Sequence, residues 1–194
     1  MHSVSLEQLD RDIEALRKRV DNGKAPRTEL DWLLGLRKEL AKATPDDWEA
    51  YRFLHEHLPQ KDADELLIIV KGHLLLEFMT RRFVERRMLN PRALDSARLT
   101  SSAIISVAEA LCLPNAAPKW LWARVRELNA LRNKLAHKLK IEGLKKQIDD
   151  FVATVSAEGD LAQNNLTGAI AHLYGMIKGL TDLADDPGFK LPNQ

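Results

Sequence analysis

Arg132, Asn133 and His137 fall within six positions of one another in Glu-Leu-Asn-Ala-Leu-Arg-Asn-Lys-Leu-Ala-His-Lys-Leu, residues 127–139. An arginine offers a planar fork of donors that fits a phosphate. Histidine is the one side chain whose unperturbed titration lies near neutrality, which suits it to proton transfer. An asparagine amide both donates and accepts hydrogen bonds. Together these residue types fit proton transfer beside a phosphate.

The stretch carries the helical period, which fixes how these side chains relate. At about 100° per residue, Arg126, Asn129 and His137 lie within roughly 40° of Asn133 and form one polar stripe. Leu121, Val125, Leu128, Leu131, Leu135 and Leu139 gather on the opposite side, facing a core. Arg132 falls among these leucines, about 140° from His137. A guanidinium on an apolar face is costly unless it is paired or reaches past the edge. Glu77, itself inside an apolar run, is the expected partner. For Arg132 and His137 to share a site, the helix must bend, the arginine must curl, or a second subunit must face the first.

Almost every other segment also has the helical period, and no stretch alternates as a half-buried strand does. The fold class expected is all-α, an up-down bundle with an N-terminal helical hairpin. Ser5 with Gln8 reads as a capping box for the first helix. Leu6, Leu9, Ile13, Leu16 and Val20 then line one face until Asp21-Asn22-Gly23 stops it. A second helix over 26–42 completes the hairpin, so residues 1–43 form an appendage, 44–186 the main bundle and 187–194 a tail. Thr44-Pro45 opens the next helix, with Thr44 as cap and Pro45 at the first position. A long helix over 61–88 carries Leu66, Ile69, Val70, His73, Leu74, Glu77, Phe78 and Phe83 as an apolar stripe. Helices over 91–111, 119–140, 143–157 and 161–184 follow.

Composition bounds what the chain can be. It has 194 residues, 45% hydrophobic and 29% charged, as in an ordinary globular protein. The single Cys112 cannot close an intramolecular disulfide, and the first residues lack the pattern of a secretion signal. Leu66–Val70, the longest aliphatic run, is far too short to cross a bilayer. A cytoplasmic protein without a membrane partner is expected. The net charge of +1 argues against a generic nucleic-acid binder, but residues 81–146 hold 15 Lys and Arg against five acids. That local excess of +10 can form an anion-binding face. Its competing explanation is the solvation of outer helix faces.

The hexapeptide Arg132–His137 resembles the Arg-polar-x-x-x-His signature of the HEPN superfamily, the higher eukaryotes and prokaryotes nucleotide-binding domain. A helix holding Glu77, an apolar helix ending Val107-Ala108-Glu109-Ala110-Leu111, a proline-containing loop and the motif helix come in the order such a bundle has. The likeness covers roughly residues 60–185. The stretch from Ser101 to His137 is also similar to the mannitol operon repressor branch, several members of which are not known as nucleases. The resemblance implies a homodimer whose two motif helices face one another, acting on RNA as a metal-independent endoribonuclease without a cofactor. His137 would serve as general base or acid, Arg132 would stabilise the charge developing on the phosphate, and Asn133 would orient the groups, with Asn129, Arg126 and Glu77 in support. The product implied is a 2′,3′-cyclic phosphate. A toxin–antitoxin or anti-phage role implies an antitoxin or regulatory protein as a further partner. Toxins inactivated by nucleotidyltransferase antitoxins carry a tyrosine two residues after the histidine; Leu139 stands there and lacks the hydroxyl. The alternative is a non-catalytic transcriptional regulator or dimeric adaptor, in which Arg132 is spent on Glu77.

Weaker signals need no catalytic explanation. His55-Glu56-His57 places two imidazoles about 200° apart on a helix, unsuited to one metal. His73 and His172 stand alone on helical faces, as satisfied interior residues do. The Asp pairs at 46–47, 149–150 and 185–186 sit at helix starts or near loops. Trp32, Trp48, Trp120 and Trp122 read as packing anchors, although Trp120 and Trp122 adjoin the basic helix and could stack on bases.

Overall fold

A long helix supplies the surface on which the motif helix is held. In a computed structural model of the chain, residues 6–94, 96–113, 115–137, 142–159 and 164–183 are described. Among these residues every regular element is helical. In order they are α1 Leu6–Asp21, α2 Arg27–Leu40, α3 Pro45–His57, α4 Glu65–Arg87, α5 Ser101–Leu111, α6 Leu121–His137, α7 Leu144–Gly159 and α8 Leu166–Asp182, with a 3-10 turn at Pro91–Leu94 between α4 and α5. The all-α class follows from the periodicity, and no described helix is long and apolar enough to cross a membrane.

The chain divides into two units, Met1–Phe53 and Leu54–Gln194. The division falls inside α3, beyond the residue-43 boundary that the hairpin pattern suggests. In the first unit, Leu9, Ile13 and Leu16 of α1 bury against Leu30 of α2, with Val20, Ala25 and Leu33 around them. Arg37 donates to both carboxylate oxygens of Asp10 at 2.9 and 3.2 Å, tying the two helices at the surface. The capping box read at Ser5 and Gln8 lies outside the described residues. The cap of α3 is as expected. Thr44 donates its backbone N–H and its hydroxyl to Asp47 Oδ2, both at 2.7 Å, and accepts from the Asp47 N–H at 3.2 Å.

In the second unit α4 packs against α5, α6 and α8, and α7 packs against α6 and α8. Asp64 caps α4 by accepting from the N–H groups of Leu66 and Leu67 at 2.7 and 3.2 Å. Its buried face is Ile68, Ile69, Gly72, His73, Leu75, Leu76, Met79, Thr80, Phe83 and Val84. This corrects the single apolar stripe expected on this helix. Ile69, His73 and Phe83 are buried, whereas Leu66, Val70, Leu74 and Phe78 are exposed. A run with apolar residues on most of its turns carries little periodic contrast, so tertiary packing chooses the face. The helix expected over 91–111 is also two pieces. Arg98 takes a left-handed φ of 44°, and Thr100 then caps α5 by accepting from Ala103 N at 3.2 Å.

Candidate functional site

The motif lies on the last two turns of α6, and its members divide between solvent and interior. Leu121, Val125, Leu128 and Leu131 are buried as their spacing demands. Asn133 and His137 are exposed and Arg132 is half-buried. The guanidinium of Arg132 curls along the helix surface and donates from Nη1 to Asn133 Oδ1 at 3.2 Å. This bond goes to the neighbouring asparagine and not to His137. Leu139 lies outside the described residues.

The polar stripe expected along α6 is not one surface. Asn129 turns into the protein, where its Oδ1 lies 3.0 Å from Nε2 of the buried His73. A carbonyl oxygen only accepts, so Nε2 carries the proton and Nδ1 keeps a bare lone pair. Nδ1 is buried without a hydrogen-bond partner. Burial pushes the His73 imidazole below its ordinary value; the Asn129 bond and the Glu77 charge oppose this, and the Arg132 charge reinforces it. His73 is therefore neutral at physiological pH. Arg126, the fourth member of the stripe, is bonded to Glu109 of α5.

Glu77, one turn beyond His73, does not hold Arg132. Its Oε1 accepts from Arg81 Nε and Nη2 at 3.1 and 2.8 Å, and its Oε2 accepts from Ser101 Oγ at 2.5 Å. Arg81 also donates to the Leu99 carbonyl at 2.8 Å, so this network fastens the start of α5 to the middle of α4. Burial alone raises the Glu77 carboxyl, but the bonds from Ser101 and Arg81 outweigh it and hold the group below its ordinary value. The pairing of Glu77 with Arg132 that the sequence suggests is thus replaced by a local pair four residues apart on one helix. That spacing costs less side-chain ordering than a reach across helices.

Beside this network His73, Glu77, Ser101 and Ile105 line a recess with room for about one water. It is too small to hold a nucleotide. Asn133 and His137 are accessible on the outer face of α6. Ser101, Arg81 and His73 are not legible as one cluster, since they come from two helices, α4 and α5, separated in the chain. The only signal was the polar pair His73 and Glu77 set four apart inside an apolar run.

The remaining candidates resolve into packing. Trp122 is buried and tilts against Phe83 at 5.8 Å between ring centroids. Trp120 stacks on His172 at 6.1 Å and 16°. His55 and His57 lie on α3, and no group of three or more His, Cys, Asp or Glu suited to a metal occurs among the described residues. Part of the positive charge of residues 81–146 is met locally. Arg81 pairs with Glu77, Arg124 with Glu127 and Arg126 with Glu109, and Lys145 pairs with Glu65 and Asp149. No protein family, curated protein or solved structure matches the chain.

Proposed function

We propose that this chain is a metal-independent endoribonuclease of HEPN type, an up-down bundle acting on RNA as a homodimer, in a toxin–antitoxin or anti-phage role in the cytoplasm. The observation that carries this reading is the use made of Arg132. The adaptor alternative needs it spent on Glu77, yet Glu77 is taken by Arg81 and Ser101, and the hydrogen bond of Arg132 goes to a neutral amide on the surface. Among the described residues no carboxylate compensates this guanidinium, and a group so placed suits a phosphate.

In this reading His137 accepts the proton of a ribose 2′-hydroxyl as that oxygen attacks the adjacent phosphorus. The P–O5′ bond breaks, the 5′-oxygen takes up a proton, and a 2′,3′-cyclic phosphate and a 5′-hydroxyl result. Arg132 stabilises the charge on the non-bridging oxygens, and Asn133 holds the Arg132 fork in place. The test is cleavage of single-stranded RNA in the presence of a chelator. Wild type cleaves, and Arg132→Ala and His137→Ala lose at least a hundredfold in rate. Equal activity in those variants overturns the proposal.

A further inference from the structure

Lys134 follows the motif arginine by two positions and is exposed on α6. Its ammonium reaches across to α7 and donates to Oε1 of Gln147. The Nε2 of the same amide donates to the carbonyls of Glu142 and Gly143 at 3.5 and 3.4 Å, which turns its oxygen toward the lysine. Arg132 is held in the same manner, by the amide oxygen of Asn133. Arg124 and Arg126, earlier on α6, are instead paired with carboxylates. Glu127 is taken by Arg124, and Glu142 offers Gln147 its backbone carbonyl. Among the described residues no carboxylate pairs with Lys134. A neutral amide fixes the position of an ammonium without cancelling its charge.

The register of α6 sets this lysine beside the motif. At about 100° per residue, His137 falls between Asn133 and Lys134 on one exposed arc. Side chains three or four positions apart on a helix are neighbours, with about 5–6 Å between their Cβ atoms. His137 is therefore flanked by two amide-held cations, Arg132 over Asn133 on one side and Lys134 on the other. That spacing suits successive phosphates of one nucleic-acid strand. The two cations also differ as such a strand requires. The arginine fork fits the oxygens of a single phosphate, whereas an ammonium is a point charge with rotatable donors that tolerates a varying backbone.

We infer that Lys134, held by Gln147, binds the phosphate adjacent to the one on which Arg132 and His137 act. The site then takes an RNA segment with at least two consecutive phosphates, and Gln147 is a positioning residue for the second. A phosphate contact fixes register and carries no base preference. This inference rests on the proposed endoribonuclease, and binding is read apart from cleavage so that the two can fail separately.

Binding is measured by fluorescence anisotropy of a labelled single-stranded RNA hexanucleotide in the His137→Ala chain, which leaves the RNA intact. Adding Lys134→Ala is expected to weaken binding about tenfold at low salt and to lower the slope of log K against log salt by about 0.7, the share of one phosphate. Gln147→Glu, which sets a carboxylate on the ammonium, weakens binding to a similar extent, and Lys134→Arg retains most of it. Unchanged helical circular-dichroism spectra show that each variant is folded. With His137 restored, Lys134→Ala raises KM about tenfold and leaves kcat within about twofold. An unchanged affinity or salt slope in Lys134→Ala overturns the inference while the endoribonuclease reading stands. A hundredfold fall in kcat also overturns it, because it places Lys134 on the reacting phosphate. Gln147→Glu binding as the parent does removes the positioning role. A slope that depends on Lys134 in a wild type that does not cleave upholds the phosphate site and overturns the nuclease.

Discussion

His73 and Asn129, 56 positions apart in the chain, meet through one buried hydrogen bond of 3.0 Å that ties the middle of α4 to the motif helix. Three turns further along α4, Phe83 meets Trp122 near the other end of α6. Rising numbers on one helix thus meet falling numbers on the other, so α4 and α6 run antiparallel. The bond sets the height of α6 on α4, and with it the position of Arg132, Asn133 and His137.

Removing the Asn129 amide leaves the Nε2–H of His73 buried without an acceptor. Asn129→Ala is expected to cost about 1–3 kcal/mol in urea unfolding. Combined with His73→Leu, which removes the orphaned donor, the loss is smaller than the sum of the two single losses. Strict additivity would show that the bond contributes nothing.

The buried imidazole also sets a direction for pH. His73 titrates below its ordinary 6.5 when folded, because burial disfavours the charged ring. The unfolded chain therefore binds more protons as pH falls below that value, and stability declines from about pH 6.5 downward through the folded pKa. Unfolding free energies measured at several pH values between about 7.5 and 5 should show this slope, and His73→Gln should flatten it. His55 and His172, also lowered by burial, leave a residual slope in the variant.

Double-mutant cycles distinguish the partner that Glu77 has from the one its sequence position suggests. The coupling of Glu77 with Arg81 is expected at about 0.5–2 kcal/mol. That of Glu77 with Arg132 should stay below about 0.3 kcal/mol. A strong Arg132 coupling would restore the adaptor reading.

The exposed His137 gives a separation of function. His137→Ala should leave stability within about 0.5 kcal/mol of wild type while removing cleavage. Arg126→Ala breaks only an exposed pair with Glu109 and is expected to cost less than about 1 kcal/mol.

Gly72 of α4 packs directly against Ile170 of α8. A Cβ there would lie 2.5 Å from Cδ1 and 2.9 Å from Cγ2 of the fully buried Ile170. Gly72→Ala is expected to destabilise by about 1–3 kcal/mol despite the better helix propensity of alanine. Ile170→Ala in the same chain recovers part of the loss, read as the shift in denaturation midpoint.

The helical class, the Thr44–Asp47 cap and the leucine face of α6 follow from the residues themselves, because each depends on neighbours within one turn. The sequence also singles out Arg132, Asn133 and His137 and the cost of an arginine on that face. It does not determine which side of α4 is interior. That helix is apolar on most of its circumference, and the choice depends on what α5, α6 and α8 present to it. Nor does it assign the polar partners. Asn129 and Asn133 are equivalent by spacing, yet one meets His73 inside and the other meets Arg132 outside. The sequence points Glu77 to Arg132, yet Arg81 on its own helix holds it. Local hydrogen-bonding and periodicity are written along the chain; the pairing of buried polar groups depends on which helices touch, and only the tertiary structure decides that.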